Sequence, residues 1–313
     1  MSDVMLRRVA ALIEVATRHV GVLGQASLYH LNTGGRMWRA MLAIACAGEL
    51  GVADTGALAL AAACELVHQA SVVHDDIQDQ APLRRGQMSV GARFGTPVAI
   101  CVGDHLLMAA FRTLAEAPHD AALTRLFASC VSDMAAGQAE GFNPMLWSTM
   151  TLTRYVSLVE AKAGAMIALP VEAAAMLGGL GAEDTLRARR FARAMGVAYQ
   201  ITDDIADVTL DLARGELNGV MVQAVCCGDP ERSNSLRMAL MRAAEKGIAP
   251  QDETTLIASL GPAAEATIRW RDWLLAEAMT ELAGHPLRKT LLNAAIALAP
   301  SLPAPAMGSQ DAA

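Results

Sequence analysis

Two short acidic motifs carry the most pointed chemistry in this 313-residue chain. The first is His74-Asp75-Asp76-Ile77-Gln78-Asp79 and the second Thr202-Asp203-Asp204-Ile205-Ala206-Asp207. Each closes an apolar run with helical periodicity. Residues i and i+4 of a helix share a face, so Asp75 projects with Asp79, and Asp203 with Asp207. Such a pair repels itself unless a cation lies between its members. Hard carboxylate oxygens at this spacing suit Mg2+, which keeps several waters and is usually completed by substrate phosphates. Acids at a helix C-terminus oppose the macrodipole, so helix stability does not explain them. One motif alone reads equally well as a solvated helix end. Two copies favour a pair of metal-bridged grips on a diphosphate.

Clustered cations complete the pattern. Arg84-Arg85-Gly86 follows the first motif, and Gly34-Gly35-Arg36-Met37-Trp38-Arg39 lies upstream. Arg36 and Arg39, three apart, share a helix face after the Gly-Gly break. The planar guanidinium fork matches phosphate oxygens. The combination points to two phosphorylated substrates, one held through metal and one by arginine. Lysine is scarce: Lys162, Lys246 and Lys289 are the three among 25 basic residues.

The elements that position these groups are helical. Hydrophobic residues make up 53% of the chain but aromatics only 4%, and the apolar content is mostly Ala, Leu, Val and Met. That composition favours helix over a β-sandwich or barrel. The periodicity predicts helices over about 3–20, 35–50, 54–79, 88–115, 119–141, 151–178, 182–210, 232–246 and 262–298. Gly34-Gly35, Pro82, Pro118, Pro144, Gly178-Gly179 and Gly181 supply the breaks. No Ser/Gly/Pro linker divides the chain, which predicts one domain over 1–299. The Pro-rich tail, 300–313, is predicted to be disordered.

Other features bound the setting. A net charge of −7 argues against a nucleic-acid surface. The six cysteines have neither zinc nor redox spacing and are expected to be buried, reduced thiols. The charged first turns (Asp3, Arg7, Arg8, Glu14) do not suit a signal peptide. The apolar stretch 57–73 is interrupted by Glu65 and His68, so no membrane span is expected. A cytoplasmic protein is the resulting expectation.

Taken in order, these motifs resemble the trans-prenyl diphosphate synthase (polyprenyl synthetase) family. The resemblance covers roughly residues 30–210. It rests on Gly34-Gly35-Arg36-x-x-Arg39, Glu65-x-x-His68, Asp75-Asp76-x-x-Asp79, Leu83-Arg84-Arg85-Gly86, Phe94-Gly95, Gly103-Asp104, Gly137-Gln138, Lys162-Ala163-Gly164 and Tyr199-Gln200-Ile201-x-Asp203-Asp204-x-x-Asp207. It implies an all-α, single-domain bundle of long antiparallel helices around a central cavity, of isoprenoid synthase type, acting as a homodimer. Asp75, Asp79 and Asp203 would coordinate Mg2+ on an allylic diphosphate, supported by Asp76, Asp204 and Asp207. Arg84 and Lys162, with Gln200 nearby, would hold that diphosphate. Arg36, Arg39, His68 and Arg85 would hold isopentenyl diphosphate. Departure of the diphosphate would give an allylic carbocation, which the isopentenyl alkene attacks, and the released diphosphate would take the final proton.

Three departures stand out. Arg36-Met37 occupies positions where the family usually has Lys-Arg, and Lys162-Ala163 lacks the usual Thr. After the second motif the family carries Gly-Lys-x-x-Gly-x-Asp, whereas this chain reads Gly215-Glu216-Leu217-Asn218-Gly219-Val220-Met221, with an acid where a cation is expected. That change keeps open a poorly active partner subunit of a heteromeric synthase. A terpene cyclase on the same fold is a second alternative, disfavoured by the surviving Arg36, Arg39, His68 and Arg85. By the same resemblance the product grows down a tunnel beside the first motif's helix. Counting back from Asp75, that face shows Ser71, Val67 and Cys64, with Ala70 beside Ser71, walls small enough for a geranylgeranyl or longer chain unless Met108, Phe111 or a facing subunit closes it.

Overall fold

The computed structural model describes residues 2–117, 120–143, 145–246 and 250–298. The chain runs α1 (Ser2–Ala16), α2 (Gly21–Asn32), α3 (Trp38–Glu49), α4 (Asp54–Gln78), strands β1 (Leu83–Arg84) and β2 (Gln87–Met88), α5 (Val90–Phe94), α6 (Thr96–Leu114) and α7 (Asp120–Gly141). There follow α8 (Leu152–Val159), a π-helical turn (Glu160–Gly164), α9 (Ala165–Leu177), α10 (Ala182–Arg214), α11 (Gly219–Cys227), α12 (Pro230–Lys246), α13 (Pro250–Met279) and α14 (Arg288–Leu298). The fold is all-α, as the composition predicts. The predicted breaks at Pro118 and Pro144 and the tail 300–313 lie outside the described residues.

The chain divides into two compact units. One comprises Met1–Met134, Ala165–Arg190 and His285–Leu287, and the other Ala135–Gly164, Phe191–Gly284 and the chain from Arg288. In the first, α4 is the core element, packed by α1, α3, α6 and α9. Its run of Ala59, Ala61, Ala62, Ala63 and Cys64 is buried, and such small side chains let neighbouring helices come close. By length and composition α4 and α6 could each cross a membrane; the most apolar 18 residues of α4 are 89% buried within the protein, those of α6 only 44%. Asp54, in the first turn of α4, pairs with Arg8 of α1 at 2.9 Å. At Gly103 on α6 a Cβ would fall 2.1 Å from His74 Nε2, so only glycine admits that ring. Cys46, Cys64 and Cys130 are buried as expected, but Cys101 and Cys227 are exposed, and all six thiols are free.

The second unit is built on Leu146, Trp147, Tyr155, Val197, Ile201, Leu212, Met221 and Leu260. A cleft of about 890 Å3 opens along α11, α12 and α13, bordered by Gln223, Arg232, Leu236, Arg242 and Ala263. None of the predicted site residues borders it.

Several boundaries differ from expectation for identifiable reasons. α2 occupies a stretch expected to be irregular. It contains Gly21 and Gly24, and its buried face is Ala26, Ser27 and His30, so polar residues mask its period. Residues 88–115 form two helices, because Gly95 (φ +88°) turns the chain and Pro97 opens α6. The expected helix 262–298 starts at Pro250 and ends at a 3-10 turn, Thr280–Leu282, before Gly284 (φ +66°) and Pro286. The stretch 83–88 is a hairpin pairing Leu83 with Met88 and Arg84 with Gln87. Its turn residues Arg85 (φ +52°) and Gly86 (φ +77°) both have positive φ, as a type I′ connection requires.

Candidate active site

The first motif ends α4. Asp79 caps the helix and its N–H donates to the Asp75 carbonyl at 2.9 Å. The helical turn is therefore intact, and Asp75 and Asp79 share its open face. Asp76 points the other way and is only 4% exposed. Its Oδ1 accepts from Arg84 Nε at 2.7 Å and from Arg84 Nη2, while its Oδ2 is buried with no hydrogen-bond partner. Arg84, expected on the allylic diphosphate, is thus engaged by Asp76. The hairpin makes this possible by folding β1 back beside the end of α4.

The second motif repeats the division. Asp203 and Asp207 lie one turn apart inside α10, half-buried and exposed respectively, whereas Asp204 is 2% exposed. Asp204 Oδ2 accepts from the Tyr155 hydroxyl and from the Gly219 N–H, each at 2.5 Å, and its Oδ1 accepts from Gln200 Nε2 at 2.8 Å. Burial pushes its carboxyl up to about 6, against the three hydrogen bonds that favour the ionised form. Asp76 and Asp204, expected among the catalytic residues, are therefore buried behind the open carboxylate pairs. Gln200, expected near the allylic diphosphate, is turned onto Asp204.

Lys162 sits in the π-helical turn between α8 and α9, an irregularity frequent at functional sites. Three glycines surround it. A Cβ at Gly196 would lie 2.6 Å from Gly164 Cα and 2.7 Å from the Ala163 carbonyl. One at Gly137 would lie 3.1 Å from Ala161 Cβ and 3.5 Å from Lys162 N. Backbone-to-backbone approach thus sets this turn, which explains Gly137 and Gly164 of the family pattern and adds Gly196.

The residues expected to hold isopentenyl diphosphate, Arg36, Arg39, His68 and Arg85, all belong to the first unit. The loop before α3 has Gly34 (φ +85°), Gly35 (φ +154°) and Met37 (φ +46°), and it presents Arg36 to solvent. The Arg85 guanidinium lies against this loop, 3.1 to 3.2 Å from where a Gly35 Cβ would be, and Arg85 Nη1 donates to Thr33 Oγ1 at 3.3 Å. A side chain at 35 would displace Arg85. His68 feels the charges of Arg39, Arg85 and Arg84; burial first, then these cations, lower it to about 2. It is a neutral imidazole, able to bind by directed hydrogen bonds rather than by charge. Beneath it runs a buried chain that sequence reasoning missed: His30 Nε2 to Gln69 Oε1 at 3.0 Å, and Gln69 Nε2 to Glu65 Oε1 at 2.8 Å. Also missed were Tyr155, Asn218 and Arg271. The last is 4% exposed on α13, with Nη1 3.4 Å from Thr202 Oγ1 beside the second motif.

The donors fit a magnesium ion completed by substrate. Among the described residues no three His, Cys, Asp or Glu side chains group closely enough to hold a metal by themselves. Each motif instead offers a carboxylate pair of hard oxygens one helical turn apart, the donor type that suits magnesium completed by water and diphosphate.

An all-α scaffold with two such aspartate turns and a gathered set of arginines defines an isoprenoid-synthase-type protein. The polyprenyl synthetase family matches residues 20–242, and the chain belongs to that family. The chain is 32% identical to a nonaprenyl diphosphate synthase of Mycobacterium tuberculosis over 203 residues, covering 64% of this chain and 60% of that one. It is 34% identical to a farnesyl diphosphate synthase of Geobacillus stearothermophilus over 197 residues, covering 59% and 66%. The chain thus matches about three-fifths to two-thirds of the length of these curated relatives. In fold it is similar to a polyprenyl synthase of Caulobacter crescentus, solved with calcium and isoprenyl diphosphate, at a TM-score of 0.81 and 22% identity over 94% of each chain.

Proposed function

We propose that this prenyl-transferring enzyme condenses isopentenyl diphosphate with an allylic prenyl diphosphate to give a longer trans-prenyl diphosphate, of geranylgeranyl size or longer. The observation that carries this reading is the shared design of the two aspartate motifs, each with an i, i+4 carboxylate pair on one helical face and a buried middle carboxylate. Asp75, Asp79 and Asp203 would hold Mg2+, supported by Asp207. Bound magnesium neutralises the diphosphate and makes it a better leaving group. Lys162 adds positive charge where the leaving group's charge develops. Arg36, Arg39 and Arg85 bind isopentenyl diphosphate through guanidinium forks, and neutral His68 orients it. Arg84 acts through Asp76, and Gln200 through Asp204. No side-chain nucleophile is required.

The small walls at Cys64, Val67 and Ala70 support the longer product. The exposed apolar residues Ile100 and Met108 on α6 support a homodimer. Six free thiols support a reducing, cytoplasmic setting.

The test is direct. Purified protein with Mg2+, isopentenyl diphosphate and geranyl or farnesyl diphosphate should yield products of about 20 carbons or more by mass. Asp75→Ala and Asp203→Ala should each lower turnover by at least roughly 100-fold, as losses of metal-centred electrostatic stabilisation do. Wild-type turnover in both variants would sink the assignment. Farnesyl diphosphate as sole product would sink the length.

A further inference from the structure

The segment that breaks the family pattern, 215–221, is not an empty gap in the second unit. Glu216, standing where a lysine is expected, lies 3.8 Å from Arg214 at the end of α10. Asn218 is fully buried, and both polar atoms of its side chain are hydrogen-bonded. Its Oδ1 accepts from Val220 N–H at 2.9 Å and so caps α11. Its Nδ2 donates to the Asp204 carbonyl at 2.6 Å and to Asp211 Oδ2 at 2.8 Å. Those two acceptors lie seven residues apart, two turns of α10, and Asp207 lies between them. The next residue sends its N–H to the Asp204 carboxylate. Gly219 must be glycine, since a Cβ there would fall 2.8 Å from the Tyr155 hydroxyl and 3.1 Å from Asp204 Oδ2. Tyr155 closes the arrangement from α8, its ring set 5.7 Å from Trp270.

We propose that Asn218 is a positioning residue for the second aspartate motif, clamping two turns of α10 so that Asp203 and Asp207 keep one open face, with Tyr155 as the opposing brace. The inference rests on the functional reading above. It also assigns the segment a role other than supplying a cation. An amide at 218 can cap one helix while donating to another; an apolar residue there could do neither. Such buried partners, which never touch the substrate, commonly change metal affinity or activity by roughly 10–100-fold when altered.

The experiment uses the full-length enzyme and follows the magnesium dependence of condensation. Asn218→Asp keeps the oxygen that caps α11, loses the Nδ2 donor and sets a carboxylate against Asp211. It should raise the magnesium half-saturation concentration by roughly 10-fold or more, with the KM for isopentenyl diphosphate unchanged. Adding Asp211→Asn restores a donor opposite the new carboxylate and should recover most of the magnesium dependence. Tyr155→Phe, which removes one hydroxyl, should shift magnesium dependence in the same direction by less, and it carries the test if Asn218→Asp does not fold. Variants that lose melting temperature but keep wild-type magnesium dependence and kcat would show a merely structural contact and overturn the clamp. A wild-type enzyme that condenses nothing would instead overturn the functional reading, and the clamp with it.

Discussion

At the scale of single residues, the two aspartate motifs assign roles by position along one helical turn. The first and fifth positions share one face of the helix and are less buried, and the second is driven inward. The two inward carboxylates are compensated differently. Asp76 is met by a guanidinium, whereas Asp204 is met by a hydroxyl, an amide and a backbone N–H, and burial displaces the Asp204 carboxyl upward. Nothing in the repeated motif residues distinguishes these environments; the partners come from elsewhere in the chain. The same is true of His30, whose spacing from Gln69 carries no signal. Burial lowers its imidazole from 6.5 to about 4, outweighing the hydrogen bond to Gln69. Its folded form therefore binds fewer protons than its unfolded form between those values. The stability linked to it is fully present above about pH 6.5 and falls as the pH drops toward 4. Relative to His30→Gln, which does not titrate, the wild type should lose about 3 kcal/mol over that window, at about 1.4 kcal/mol per pH unit. Urea unfolding at a series of pH values measures this, and a constant difference between the two proteins would refute it.

At the scale of elements, the long amphipathic helices were legible because burial of one face imposes a 3.6-residue period. The elements that place the chemistry were less so. The 83–88 hairpin depends on Arg85 holding a positive φ, which an Arg-Gly pair does not advertise as Asn-Gly does. The π turn at Lys162 has no period of its own. It is defined by how closely Gly164 and Gly196 approach. Because the atoms a Cβ would strike at 196 are backbone, no rotamer change can relieve the clash. Gly196→Ala should destabilise the protein by about 1–3 kcal/mol, the usual cost of overpacking, and lower kcat by displacing Lys162. Thermal unfolding and steady-state kinetics check the two parts. Gly48→Ala is the control, since nothing lies within 4 Å of its Cβ position.

At the scale of the whole molecule, α6 carries an exposed apolar face, with Ile100 and Met108 both open to solvent. The helix is apolar enough to cross a membrane, yet less than half of its apolar window is buried, and Met108 is 53% exposed. Exposed apolar patches of this kind mark interaction sites. If that face joins two copies, Ile100→Asp together with Met108→Asp should convert a dimer to a monomer in light scattering. A wild-type monomer, or a variant dimer, would count against the homodimer.

The amino-acid sequence by itself determined the helical class, the two carboxylate pairs and the arginines that suit diphosphates. These follow from composition and from spacing within one helical turn, and both are local. Only the tertiary structure decided which member of each aspartate motif turns inward, that Arg84 and Gln200 are held by those inward members, that His68 is neutral, and that Asn218 and Gly219 brace the motif where a lysine was expected. Each of these depends on desolvation and on partners distant in the chain. Burial energies and hydrogen bonds between such residues exist only once the helices have packed.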